Sequence, residues 1–256
     1  MGIIIRVNDA DFSANSLGFV PPVSDGLEYM ALFENGASLT RNLAPGKPAP
    51  SVVGVPGRKA HCATFTGASA YLLTAAAQSA EQTIIAVAAP GGSVSAETEN
   101  QIVSNFGSSR VSGSGTTQGV FLAYRPTNPA DGKVREGCQL YYLTSGGTSA
   151  GVAPGINDGA QVQVPKILAC RYSFGQLLTR FDDYTDGVGS QSTLPAGATL
   201  DRGQPYRIGS AFGSISNQGP FDVYAVMILS RYVPDAEMRE LSAWLRAFYA
   251  SKGVSI

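Results

Sequence analysis

Between Phe221 and Leu229 the chain is apolar on both parities. Phe221, Val223, Ala225, Met227 and Leu229 occupy one, and Tyr224, Val226 and Ile228 the other. A strand with this pattern is covered on both faces and therefore central in its sheet. The period then changes. Met238, Leu241, Leu245 and Phe248 recur at spacings of three and four, which places them on one helical stripe. Pro234 suits the first helical position, Asp235 and Glu237 its positive end, and Gly253 its stop. The pattern predicts a buried strand feeding an amphipathic helix that lies back on a sheet.

Upstream, short strand-like runs recur at 26–33, 60–65, 71–73, 83–89, 101–105, 119–125, 139–144, 166–172, 176–181 and 206–210, broken by glycine, proline and serine. The runs at 101–105 and 119–125 read as a hairpin pair around the Gly113–Gly115 loop. Those at 166–172 and 176–181 flank a tight Ser173-Phe174-Gly175 turn. The segment 34–56 carries Pro45, Pro48, Pro50 and Pro56 and reads as a loop. Many short strands and one terminal helix predict an all-β, two-sheet antiparallel sandwich. No internal repeat or linker divides it. The composition shift at Pro21-Pro22 separates an arm or first strand, 1–23, from a β-sandwich over 24–256.

Composition narrows the classes. The 256 residues suffice for one large β domain, and 18 basic against 19 acidic residues give a net charge of −1. That balance gives no reason to expect nucleic acid or an acidic membrane as partner. Charged residues make up 14%, below the roughly 25% of average soluble domains, so the surface is polar but largely uncharged. Cys62, Cys138 and Cys170 are odd in number and match neither zinc nor redox spacing, so they read as small buried apolar residues. The N-terminus lacks the pattern of a Sec signal, and no run has the length of a membrane span. The expectation is a chain made in the cytoplasm and not inserted in a membrane.

No catalytic constellation is read from the residues. His61, the single histidine, lies in a strand-like run without a matching nucleophile, and one histidine excludes a multi-histidine metal site. Asp182, Asp183 and Asp186 crowd a turn ending at Gly187. They are the calcium candidates, although such turns use aspartate and glycine in any case. No other metal or cofactor is expected.

Several segments together resemble concanavalin A-like, laminin G-like domains. Gly26-Leu27 through Phe33-Glu34-Asn35-Gly36-Ala37 is similar to their opening strand, and Phe65-Thr66-Gly67 through Tyr71-Leu72 to their first hairpin. Thr83 to Val87 is similar to the next strand. Arg207-Ile208-Gly209, the Phe221 run and Ser230 to Met238 resemble their closing signature, with Pro234 in place of the usual serine cap. The resemblance runs in order over about residues 24 to 252 and implies a jelly-roll sandwich. Ile4 to Val7 with Ala10 to Asn15 resembles the starts of phage and prophage tail-associated proteins. Together these imply a non-catalytic recognition or structural module of a virion tail or fibre. It would bind a cell-surface glycan or a neighbouring virion protein, with a homo-oligomer, a trimer, supplying the avidity that weak single sites lack.

The superfamily also includes β-glucan-cleaving enzymes with acidic residues at alternate strand positions, so a glycoside hydrolase or lyase is the alternative; a purely structural assembly protein is another. Glu97 and Glu99 alternate but lack a third partner, and Glu237 and Glu240 fit capping and exposure on the helix. Sugars are held by aromatic faces and planar polar groups. The glycan candidates are Tyr124, Tyr141, Tyr142, Tyr172 and Tyr184, with Asn105, Arg110 and Arg125 near strand ends. Trp244 is expected to pack through the helix onto the sheet.

Overall fold

The structure is a computed structural model that describes residues 20–91, 99–125, 134–154, 162–213 and 219–256, with the backbone alone of 157–160. The arm expected over 1–23 falls largely outside the described residues, as does Glu97.

Two antiparallel sheets of eight and nine strands stack as a sandwich, and one helix, Asp235–Ala250, packs on the outer face of the eight-stranded sheet. Among the described residues no helix is long and apolar enough to cross a membrane. The Phe221–Leu229 strand is central as its pattern requires. It pairs with Glu81–Ala89 on one side and with Leu27–Leu32 and Ala63–Phe65 on the other. Its two parities do not hold their faces throughout, however. A bulge between Val223 and Ala225 shifts the register by one residue. Phe221 and Val223 therefore face the core between the sheets together with Val226 and Ile228, while Ala225, Met227 and Leu229 face the helix. One extra residue moves every later side chain to the opposite face.

The helix contributes Met238, Leu241, Leu245 and Tyr249 to the second core. Tyr249 takes the place expected for Phe248, because eleven residues after Met238 is about three full turns. Its hydroxyl donates at 2.6 Å to the Tyr224 carbonyl, at the bulge, an oxygen that also accepts from the Phe33 amide at 2.8 Å. Trp244 packs partly buried against the same core, as expected. Both expected hairpins form. Asn100–Ser104 pairs with Val120–Arg125, and Lys166–Ser173 with Leu178–Asp183.

Strands also form where none was expected. Ser51–Val53 lies inside the proline-rich segment, and the polar Val188–Thr193 makes an edge of the eight-stranded sheet. Gly209 carries the chain out of the nine-stranded sheet at φ +84°, and a Cβ there would come within 2.4 Å of Phe65. Only glycine accepts both conditions.

Candidate functional site: the outer face of the nine-stranded sheet

The helix covers the outer face of one sheet. The outer face of the other carries no helix among the described residues; Phe121, Ala123 and Ser104 on it are buried, and Arg125, Gln139 and Tyr141 are half-buried. Alternation decides which residues reach it. Val120, Leu122 and Tyr124 point into the core, so Phe121, Ala123 and Arg125 point out. On the neighbouring Val134–Leu143 strand, Cys138, Leu140 and Tyr142 point in, leaving Gln139 and Tyr141 outward. Strand register then sets a row across the sheet: Gln139, Phe121, Ser104, Arg207, Leu73 and Ser51 lie opposite one another on successive strands.

The side chains along this row are ordered by one another. Phe106 meets Phe121 edge-on at 5.7 Å and lies 6.3 Å from Tyr141. The Arg125 guanidinium sits 4.8 Å over Phe121 and donates to Gln139 Oε1 at 2.7 Å. Glu99 lies 3.7 Å from Arg125 and accepts from Gln101 Nε2 at 2.6 Å. Burial raises the Glu99 carboxyl above its ordinary pKa, against the pull of Arg125 and Gln101. Further along, the Arg207 guanidinium lies between two rings, 4.5 Å from Tyr71 and 3.8 Å from Phe212. Burial lowers its pKa, opposed by Tyr71. Two buried polar atoms on this face, Gln101 Oε1 and Arg207 Nε, have no hydrogen-bond partner among the described residues. Gly151 leaves room for the Tyr141 and Gln139 side chains, since a Cβ there would come within 2.8 Å of the tyrosine ring and 2.9 Å of the amide. The result is a strip in which the half-exposed rings of Phe106 and Tyr141, seated around buried Phe121, are interleaved with guanidinium and amide groups. This chemistry can stack an apolar sugar face and bond hydroxyl pairs.

Of the residues singled out from the sequence, Arg125 and Tyr141 come together here. The structure places four others in the interior. Tyr124 is buried with its hydroxyl donating to the Ala88 carbonyl at 2.6 Å, and Tyr172 packs in the same core with its hydroxyl 3.4 Å from that of Tyr206. Tyr142 shares that core. Asn105 is a buried brace. Its Oδ1 accepts from the Val120 amide at 2.7 Å, and its Nδ2 donates to Gln78 Oε1 at 2.9 Å. These four side chains are engaged by the fold rather than presented to a ligand. Arg110 forms a two-pronged pair with Asp201, at 2.8 and 3.1 Å, beside the short Ser108–Ser109 and Thr116–Thr117 hairpin. Tyr184 lies on the far side of the molecule, against the helix core. Gln139, Phe106 and Arg207 were not singled out, although the parity set by Leu140 and Tyr142 marks both Gln139 and Tyr141 as outward.

The three calcium candidates do not converge. Neighbouring residues of a strand face opposite ways, so Asp182 turns to Arg171 and Arg180, at 2.7 and 2.8 Å, on the helix side. Asp183 turns inward and joins Asp186 and Glu136, the last reaching across from the other sheet. The Lys166 ammonium sits at the point of convergence, 3.0, 2.7 and 3.1 Å from the three carboxyls. A lysine charge thus occupies the place a metal ion would take. Burial, together with the facing Asp183 carboxylate, pushes Glu136 up to about 8 despite Lys166. For Asp183, burial is outweighed by bonds from Glu136, Lys166 and the Asp186 amide, and its pKa is lowered. Glu136 therefore carries the proton that joins the two carboxyls.

His61 Nδ1 lies 2.9 Å from buried Glu34, a structural contact. The three cysteines are buried and unpaired with one another, as their spacing implied.

No protein-family model matches the chain, and no curated protein matches it. Solved structures do match its fold. One is the botulinum neurotoxin serotype D ligand binding domain in complex with N-acetylneuraminic acid, with a TM-score of 0.60 and 8% identity over 88% of this chain. Another is the sialidase of Trypanosoma rangeli in complex with sialic acid, with a TM-score of 0.59 and 15% identity over 90% of this chain. The chain spans 52% of the toxin domain's length and 36% of the sialidase's. The likeness is one of fold: this chain is a two-sheet, jelly-roll β-sandwich. That class includes receptor-binding domains and parts of larger proteins with quite different activities.

Proposed function

We propose that this chain is a non-catalytic recognition module that binds a surface glycan on the outer face of its nine-stranded sheet. The observation that carries the reading is the strip in which half-buried Tyr141 and Phe106 lie among Gln139 and Arg125 around the buried Phe121 ring, held by mutual contacts on a sheet face that the helix does not cover. The fold it shares with receptor-binding domains supports the same reading. Binding is preferred to hydrolysis because, among the described residues, Glu99 is the carboxylate in contact with Arg125 on this strip. Glycoside cleavage takes two carboxyls that flank the bond. We also propose, from the resemblance of residues 4–15, that the module is carried on a phage tail or fibre, where several copies raise avidity.

The test is a glycan array and calorimetry on the purified chain, with Tyr141→Ala and Arg125→Ala beside it. Each variant should keep the fold and lose about tenfold in affinity, or 1.4 kcal/mol. Unchanged binding in both variants would remove the strip from recognition. Release of reducing sugar from a bound polysaccharide, abolished by Glu99→Gln, would replace recognition by catalysis.

A further inference from the structure

On the opposite side of the molecule, a cleft of about 250 Å³ opens between the Leu178–Asp183 and Val188–Thr193 hairpin and the first two turns of the helix. Arg180, Asp182, Tyr184, Gly189, Asp235 and Arg239 line it. It is smaller than the roughly 300–1,000 Å³ of a drug-sized pocket, a volume suited to one sugar ring.

Its polar wall is built from below. Arg171 is completely buried and holds Asp182 Oδ2 and Asp235 Oδ1, each at 2.7 Å, while also donating to the Val233 carbonyl at 2.8 Å. Arg180 lies across the same two carboxylates, 2.8 Å from Asp182 and 3.4 Å from Asp235. Two guanidiniums and two carboxylates therefore neutralise one another and are fixed before any ligand arrives. Arg239 is left over. It faces the cleft, and among the described residues its guanidinium has no hydrogen-bonded partner; its charge acts on Asp235 through space. Tyr184 stands beside this wall with its ring half-buried, and its carbonyl accepts from Arg246. Gly189 keeps the floor low: a Cβ there would meet Asp182 Oδ1 at 2.5 Å, so a side chain would push the carboxylate out of place.

From this geometry we infer that the cleft is a second binding site, and that it takes a single pyranose bearing a carboxylate. The unspent Arg239 fork receives the acid group by two parallel hydrogen bonds. The Asp235 and Asp182 oxygens and the Arg180 guanidinium take the hydroxyls. The Tyr184 ring takes an apolar ring face. A neutral sugar satisfies the self-neutral part of the wall but leaves Arg239 unused. An inorganic anion uses Arg239 but leaves the ring and the hydroxyl partners unused. The inference extends glycan recognition to a new site and does not depend on the sheet face.

The experiment follows amide resonances of the full chain during titration with methyl β-D-glucuronide, methyl β-D-glucoside and sodium acetate. The glucuronide should move the Tyr184, Gly187, Gly189 and Ala236 signals, with an affinity at least tenfold above either control. Arg239→Ala, at an exposed position, should keep the spectrum of the folded protein and lose at least tenfold in glucuronide affinity. Tyr141→Ala should leave this binding intact, which separates failure of this site from failure of the sheet-face reading. Equal binding of the neutral glucoside, equal binding of acetate, undiminished binding by Arg239→Ala, or no movement of the cleft signals would each overturn the inference.

Discussion

Replacing Glu136 by glutamine tests the account of the buried charges between the sheets. Glu136 comes from the nine-stranded sheet, and Lys166 and Asp183 from the eight-stranded one, with Asp186 closing the group from the following turn. Tyr124 is the other titratable group whose charge couples to Glu136, and its hydroxyl is committed to Ala88. One ammonium cannot balance three carboxylates, so Glu136 keeps its proton to about pH 8 in the folded chain, against 4.5 for an ordinary glutamate.

The sign follows from linkage. Below the unfolded value both states hold the proton, and stability is at its full level. As pH rises from about 4.5 toward 8, the unfolded chain releases a proton that the folded chain retains, so stability falls; above that it levels off. Asp183, with its pKa lowered, works the other way and loses its contribution only as pH falls through its folded value, outside this window. Raising the Glu136 carboxyl from 4.5 to about 8 corresponds to about 5 kcal/mol as an upper bound. Relaxation of the site and residual compactness of the unfolded chain leave an expected loss of about 2 kcal/mol.

The assay is urea unfolding between pH 5 and 9. Glu136→Gln keeps a donor for Asp183 and an oxygen for Lys166 but cannot ionise. It should be flatter than the wild type by about 2 kcal/mol across this range, because contributions common to the two proteins cancel in the difference. Parallel curves for the two proteins would refute the shared proton.

Other substitutions probe the frame. Gly209→Ala forces a side chain into a left-handed position against Phe65 and should cost about 2 kcal/mol or more in urea unfolding, the left-handed conformation alone being about 1–2. Arg171→Met removes the cation between buried Asp182 and the helix start; a loss of about 3–5 kcal/mol is expected, and Asp182→Asn in the same background should recover part of it.

The fold was largely legible because its signals are repeated locally. The doubly apolar Phe221 run, the three-and-four spacing of Met238, Leu241 and Leu245, and the Ser173-Phe174-Gly175 turn each say the same thing as the structure. What escaped depends on distant partners. The bulge at Tyr224 leaves no mark in the pattern and appears only as a register against Glu81–Ala89. Val188–Thr193 is a strand because Leu178–Asp183 supplies its hydrogen bonds, not because Val-Gly-Ser-Gln-Ser-Thr has a core to face. The site was harder still. Tyrosines were chosen by type, and alternation assigns them by position: Tyr142 shares the parity of Leu140 and goes in, while Tyr141 goes out. The gathering of Glu136 with Lys166, thirty residues away, is invisible before the two layers are stacked.

The helix and the residues after it lie against the eight-stranded sheet, with Val254 and Ile256 packed beside the second core. A tether attached beyond Ile256 would therefore leave from the back of the sandwich. A chain immobilised by that end on a sensor chip would turn the Tyr141 strip toward the flowing solution, whereas the Arg239 cleft, beside the helix, would lie nearer the support.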